Sequence, residues 1–589
     1  MKSIKVFLPV LKGKISFVVD KGRHWSVVEH LLLDALVKRE WSTNALSEHG
    51  GLPRRVVIEA LVRLMRAGWV ELSIDAGEVR FRATEIGKVA VSHSELPKLS
   101  DLQKRPTNYI LDMVCGEIFR NKDLLTQSEE EIRKTLGGQP SVWVKPRSWH
   151  SQVDVNEALQ VLLDPDETFV SGQPGGIYRR WVTVVVRGGR IVSGLPETRS
   201  LDELHQVVLE AATEADSESE VIVEPSDEHE LERAQASKAL VHGIGFRLQD
   251  LVLGGEAHKK TLHGLIESAN TNVFIHSTFI SASRVLDLLP SIQMAVEKGV
   301  HIHIFWGQNE NLDELASTRS AIGELRKNLE FQALAEHLTI HPFSTGSHSK
   351  LLLADAGPAG EYVAVIGSCN WLTSGFVSYE ASVVLRDPKI VDEVVRCFGR
   401  LVCMHDGLWS ELAGDIVLIS QSLQSAKPAK PIGEGSIIVG SQHNELVLRA
   451  RDEAKDSILL ASHRLGVAAG SGILAPLQSA ATDNPQLSVS VLYCHKTAPL
   501  RGSDERRLTK EATSLGVSLA PIQSPRIHAK LLVWDDDNAV ITSLNWLSAD
   551  QTQNSSMGEI GVHLRVPGVG RHIAEHLRAE IASASGSVL

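Results

Sequence analysis

HSKLLLAD, from His348 to Asp355, and HAKLLVWD, from His528 to Asp535, are two copies of one pattern. Each is followed by a short loop and a second matched run: AVIGSCNWL, Ala364 to Leu372, and AVITSLNWL, Ala539 to Leu547. The shared template is H-x-K-L-L-x-x-D, then A-V-I-x-S-x-N-W-L. The run after each histidine is short and rich in Leu and Val, the pattern of a buried strand. Residues two apart on a strand share a face, so His348 points with Lys350 and His528 with Lys530. A histidine can serve as nucleophile or general acid near neutral pH. A lysine beside it supplies fixed positive charge for an anionic reacting group. Asn370 and Asn545 can add amide donors, and Ser368 and Ser543, two residues earlier, hydroxyl donors. Asp355 and Asp535 lie at an odd offset from their histidines and face away, which makes them structural. Two histidines, two lysines and two asparagines at matched positions read as two halves of one catalytic site.

The paired pattern resembles the phospholipase D superfamily, whose signature is H-x-K-x-x-x-x-D followed by a G-S-x-N strand. The first copy has Gly367-Ser368-Cys369-Asn370; the second carries Thr542 in place of the glycine and keeps Ser543 and Asn545. The family also has a glutamate after each Asn, supporting the opposite histidine, and Glu380 and Glu559 stand where it is expected. The resemblance covers roughly Ala236 to the C-terminus. It implies phosphodiester cleavage without a metal or other cofactor. One histidine attacks phosphorus; the other protonates the leaving alcohol and then activates water. Lysines and asparagines hold the non-bridging oxygens. By analogy His348 is the nucleophile and His528 the acid/base. Because both motifs lie in one chain, no oligomer is needed to complete the site.

Composition narrows the setting. The chain has 589 residues, 43% of them hydrophobic, and a formal net charge of -12, so no global basic field marks it as a nucleic-acid binder. Cys115, Cys369, Cys397, Cys403 and Cys494 are scattered and odd in number, which suits reduced thiols in a cytoplasm. No apolar run reaches membrane-spanning length, so membrane insertion is not expected. No G-x-x-x-x-G-K-[ST] loop occurs, so ATP use is not supported and an ATP-dependent translocase or helicase would have to be a partner.

Along the chain the expectation is a multidomain α/β protein. Residues 1–97 read as helix, helix, turn, helix, hairpin, and resemble a winged helix-turn-helix. Arg54, Arg55, Arg63 and Arg66 on its third helix and Arg80 and Arg82 on its wing are candidate phosphate contacts. Residues 98–212 form an α+β middle region of unread role, with helices expected at Thr107–Arg120 and Glu203–Ala212 and a hairpin turning at Gly188-Gly189. Residues 213–235 are densely acidic and read as a linker. Residues 236–421 and 437–589 are the two phospholipase D-like halves, joined by a Pro-, Gly- and Ser-rich connector at 422–436, and are expected to pack about a pseudo-twofold axis. His276 and His463 end strands read as equivalent. The leading function is a nuclease acting on DNA or RNA, with DNA repair or antiviral defence as its setting. The alternatives are a lipid hydrolase and a regulatory protein that only grips nucleic acid.

Overall fold

The computed structural model describes residues 3–21, 25–75, 78–93, 96, 101–136, 139–147, 155–196, 201–215, 220–223, 239–307, 312–402, 410–548 and 558–586. Most of the acidic 213–235 stretch, Ala76 and Gly77, and Cys403 lie outside them. The chain forms two compact units. One comprises Met1–Gly13, Ile110–Ala158 and Ile177–Leu589, the other Lys14–Tyr109 and Leu159–Gly176.

The smaller unit contains helices Val27–Lys38, Thr43–Gly50 and Arg54–Arg66, then an antiparallel hairpin of Val70–Asp75 and Glu78–Ala83. Local chemistry sets these ends. Ser26 and Glu29 form a capping box, and the Ser42 side chain accepts from Ala45 N. Gly51 closes the second helix at φ 61, a left-handed value that glycine adopts without strain. Leu33, Leu46, Val57, Leu61, Leu64 and Trp69 form its core.

In the larger unit, Lys5–Phe7 of the first strand, Ser3–Lys21, pair in parallel with Ser141–Trp143, and Ser141–Val144 with Glu220–Val223. The segment 107–120, read as a helix, is instead the end of a strand, Asp101–Asp112, a turn, and a strand, Ile118–Arg120. Asp112 makes the turn. Its carboxylate accepts from Val114 N at 3.0 Å and Cys115 N at 2.8 Å, and Gly116 follows at φ 78. A short acid that caps its own downstream amides outcompetes weak helical periodicity. The expected helix at 203–212 is present as Asp202–Glu214, and the hairpin pairs Glu167–Arg187 with Arg190–Ser193.

The two motif-bearing halves build two sheets with one strand order. In the first, the order is Leu251–Leu253, Ala381–Leu385, Val363–Gly367, Leu351–Ala354, Asn272–Ser277, His301–Trp306, Leu338–Ile340. The second runs Gly433–Val439, Ile560–Arg565, Asn538–Thr542, Leu531–Trp534, Ser457–Leu465, Ser488–Lys496, Val517–Pro521, with His242–Ile244 added at its edge. Alternation along each strand divides the core. Leu351, Leu353, Ile366, Val383, Leu531, Val533, Ile541 and Val562 join one cluster shared by both sheets. Leu352, Val365 and Ile275 face a second cluster with helices of the first half; Leu532, Val540 and Val491 face a third in the second half. Strands buried on both faces explain the continuous apolar runs.

Asp355 and Asp535 sit at the far ends of the motif strands. The Asp355 carboxylate accepts from the backbone N–H groups of Asn270, Thr271 and Asn272 at 3.1, 2.8 and 3.2 Å, and from Thr271 Oγ1 at 2.6 Å. Asp535, at φ 51, takes the amides of Lys455, Asp456 and Ser457 at 3.1, 2.9 and 3.2 Å. Each aspartate clamps the start of the neighbouring strand. Removing it leaves several amides unpaired, at roughly 1–3 kcal/mol for each buried group. Asp355→Ala is therefore expected to lower the folding free energy by at least about 2 kcal/mol in denaturant unfolding. A loss below about 0.5 kcal/mol would contradict the clamp.

Candidate active site

Each motif histidine lies just before its strand, in extended backbone stitched to the other half. His348 N donates to Gly558 O at 2.7 Å. His528 N and Ala529 N donate to Tyr379 O, and Tyr379 N donates to Arg526 O, each at 2.8 Å. These bonds place Glu559 against His348 and Glu380 against His528. His348 Nδ1 lies 3.1 Å from Glu559 Oε1, and His528 Nδ1 lies 2.7 Å from Glu380 Oε1. The pairing is crosswise: each imidazole takes its carboxylate from the opposite half. The His348 side chain is 35% exposed and that of His528 18%, whereas Glu559 and Glu380 are 9% and 3% exposed. Imidazoles can therefore meet a ligand and the carboxylates cannot.

The second carboxylate oxygen is also bound within each half. Ser368 Oγ donates to Glu380 Oε2 and accepts from Ala381 N at 3.0 Å. Ser543 Oγ donates to Glu559 Oε2 and accepts from Ile560 N at 3.1 Å. The serines thus fix the glutamates, a different task from the direct anion contact read from the sequence. Behind them sits a histidine in each half that the motif does not contain. His258 bridges Gly254 O and Ser382 Oγ at 2.7 and 2.8 Å; His443 bridges Gly440 O and Thr542 Oγ1 at 2.8 and 2.7 Å.

This arrangement accounts for the odd residue of the second motif. Gly367 pairs with Ser382 across the first sheet, and Thr542 with Gly561 across the second. A Cβ on Gly367 would meet Ser382 Oγ at 2.0 Å, and one on Gly561 would meet Thr542 Cβ at 2.7 Å. One glycine and one hydroxyl are needed at each crossing, and the halves place them on opposite strands.

Lys350 and Lys530 are buried between these groups. Lys350 Nζ donates to Thr278 Oγ1 at 2.8 Å, and Lys530 Nζ to the His528 carbonyl at 2.8 Å. Asn370 and Asn545 lie in the loops after the second strands, and the buried Oδ1 of each has no hydrogen-bond partner among the described residues. An unpaired buried amide oxygen costs stability, and it is the amide N–H groups of these residues that could donate to an anion.

Burial and mutual charge set the protonation states. Burial pulls Lys530 down to about 7, helped by Lys350, and pulls Lys350 down to about 8. Burial and then Lys530 lower His528 to about 4; burial and then Lys350 lower His348. Burial alone would raise Glu380 and Glu559, but the facing histidines and lysines overcome it and hold both at about 2. At neutral pH both imidazoles are neutral, each donating Nδ1–H to an ionised glutamate, and Lys530 Nζ lies 3.2 Å from His528 Nε2. His463 approaches His528 edge-on at 4.8 Å between ring centroids. His276 is buried and spans Ser349 O and Thr345 Oγ1, both at 2.8 Å. Its register partner is Leu351, whereas Leu531, which follows the second lysine, pairs with Ala461. His276 and His463 are therefore not equivalent: Ala461 occupies the place of His276, and His463 that of Thr278.

The candidate nucleic-acid contacts are far less poised. Arg63 is tied to the buried Glu29, Arg55 to Glu59 at 3.1 Å, and Arg82 to Glu71 at 2.7 Å. Arg54 and Arg66 are exposed at the two ends of the third helix, and Arg80 lies on the hairpin.

A family model described as "Cardiolipin synthase, PLD-like domain" matches residues 262–402, so a phospholipase D-like domain occupies that stretch. No curated protein matches the chain. Among solved structures it is similar to phosphatidylserine synthase of Haemophilus influenzae Rd KW20, at 13% identity over 60% of this chain and 91% of that one, TM-score 0.39. It is also similar to Nuc of Salmonella typhimurium, a phospholipase D family member, at 22% identity over 25% of this chain and 93% of that one, TM-score 0.21. Polyphosphate kinase of Porphyromonas gingivalis matches at 11% identity over 98% of this chain and 77% of that one, TM-score 0.33. No helix among the described residues is long and apolar enough to cross a membrane.

Lysine labelled at Cε reports these charges directly. Lys530 is expected to titrate near 7, against about 10.4 for a free lysine, and lower still in Glu380→Gln, which removes a carboxylate that raises it. Lysine signals that all titrate at 10 or above would contradict the assignment.

Proposed function

We propose that this protein is a phosphodiesterase of the phospholipase D type, and that its substrate is nucleic acid. The observation that carries the reading is the crosswise holding of two neutral imidazoles beside two buried ammonium groups. Such a site is preorganised for a phosphodiester anion. His348 Nε2 attacks phosphorus, the P–O bond to the leaving alcohol breaks, and a phosphohistidine forms. His528 protonates the departing oxygen, then takes a proton from the water that cleaves the P–N bond. Lys350, Lys530, Asn370 and Asn545 hold the non-bridging oxygens. A bound phosphodiester raises the proton affinity of both histidines, offsetting the two lysines, so His528 can act as an acid in the complex. His348 is the more exposed of the two, which suits the attacking role. The site needs neither a metal nor a second chain, and the two sheets relate by a pseudo-twofold axis through it.

The nuclease assignment draws on the absence of a membrane-spanning helix among the described residues and on the helix, helix, helix, hairpin unit, which we read as a winged helix that binds nucleic acid. Repair or antiviral defence would be its setting, with an ATP-dependent translocase or helicase as partner.

Hydrolysis of labelled DNA and RNA is expected to persist in excess EDTA and to fall at least about 10³-fold in His348→Ala and in His528→Ala, with folding retained. Quenching in denaturant at alkaline pH, where a phosphohistidine survives, should trap a phosphoprotein in the wild type and none in His348→Ala. Full activity in either variant, or strict metal dependence, would overturn the mechanism. The pH dependence of kcat/KM follows from the free-enzyme protonation states. Activity should fall at acid pH, where the attacking His348 gains its proton, and as pH rises through about 7 to 8, where Lys530 and Lys350 lose theirs. A plateau extending to pH 10 would contradict the lysine assignment.

A further inference from the structure

The strand registers allow the two halves to be compared residue by residue around the site. Ser277 Oγ accepts from Leu372 N, and Ser462 Oγ from Leu547 N, both at 3.4 Å. Thr278 therefore corresponds to His463, and Phe279 to Arg464. Two residues before the motif histidines, Gly346 corresponds to Arg526. The halves share their catalytic residues and differ in what surrounds them. His348 is flanked by a threonine, a phenylalanine and a glycine; Phe279 meets its ring edge-on at 6.2 Å. In the second half the corresponding positions hold a histidine, whose ring meets that of His528, and two arginines, and His495 lies 5.3 Å beyond His463.

Arg526 is placed to reach a ligand. Ile527 is fully buried, whereas Arg526 sits close enough to His463 to lower its proton affinity, and the His463 ring in turn meets that of His528. Both Arg526 and Arg464 are exposed. Among the described residues no carboxylate pairs with either guanidinium, whereas Arg63, Arg82, Arg386, Arg449 and Arg571 each have an acidic partner. Placing further unpaired cations beside two buried ammonium groups raises the local potential, and a second anion would relieve it.

We propose that Arg526, with Arg464, forms a subsite for the phosphate adjacent to the scissile one, on the His528 side only. The substrate is then a polyanionic strand laid in one direction, with a flanking phosphate on the arginines and uncharged sugar and base over Phe279. A guanidinium suits this task because its planar fork matches phosphate oxygens. The inference rests on the phosphodiesterase reading and adds strand polarity to it.

The test uses the full chain with two substrates: a single-stranded oligonucleotide with one scissile linkage, and bis(4-nitrophenyl) phosphate, which has one phosphate only. The R464A/R526A double variant is expected to lose at least tenfold more kcat/KM on the oligonucleotide than on the small diester, mainly through KM. In the wild-type protein, a neutral methylphosphonate placed next to the scissile linkage should raise KM on one side and not on the other. The same replacement should cost the double variant little. Equal losses on both substrates, or a methylphosphonate effect that is absent or equal on both sides, would overturn the subsite and leave the phosphodiesterase reading intact. Turnover of the small diester with none of the oligonucleotide would also overturn it. A wild-type protein inert toward both would remove the phosphodiesterase reading itself. Because the methylphosphonate arm alters only the substrate, misfolding of a variant cannot decide the outcome.

Discussion

The crosswise contact between imidazole and carboxylate is the constraint on which the site depends. Glu380 belongs to the first half and binds His528; Glu559 belongs to the second and binds His348. Neither half alone could hold its own histidine in the required tautomer. The shared core between the sheets, with Leu351, Leu353, Leu531 and Val533 facing one another's strands, keeps those partners in register. Chemistry and folding are thus the same requirement here: separating the sheets would unpair two buried carboxylates that lie at about 2 because of the histidines and lysines facing them. Leaving a buried charge without its partner is among the costlier changes a core can suffer.

The near-symmetry of the halves is maintained by compensation. The histidine–hydroxyl pair behind each glutamate is present twice, but the hydroxyl comes from Ser382 in one half and from Thr542 in the other. The glycine moves to the facing strand in step with it. Geometry, not residue identity, is what has been kept. Where the halves differ without compensation, at Thr278 against His463 and Gly346 against Arg526, the difference falls beside the motif histidines and lysines.

Much of this was legible in the sequence because period-2 alternation and the spacing of His and Lys determine which side chains share a face. The motif strands, the order of elements within each half and the structural part played by Asp355 and Asp535 follow from that alone. The crosswise glutamates came from resemblance, since no local rule links Glu380 to a histidine so far along the chain. His258 and His443 stayed hidden because their partners come from distant strands and neither sits in a motif. His276 and His463 do end equivalent strands, as the sequence suggested, yet they hold different register positions. Both stand near the ends of apolar runs, but register is fixed by pairing, and the pairing shifts one of them to the position of Ala461. The 107–120 segment was misread because the turn at Asp112 depends on a side chain capping its own backbone.

A double-mutant cycle on folding free energy tests the central claim most directly. It compares the crosswise pair, His528 with Glu380, against the same-half pair, His348 with Glu380. The account predicts a coupling of about 1–3 kcal/mol for the first and near-additivity, within about 0.5 kcal/mol, for the second. Additivity in the crosswise pair, or equal coupling in both, would contradict a site assembled by exchange of partners between the halves.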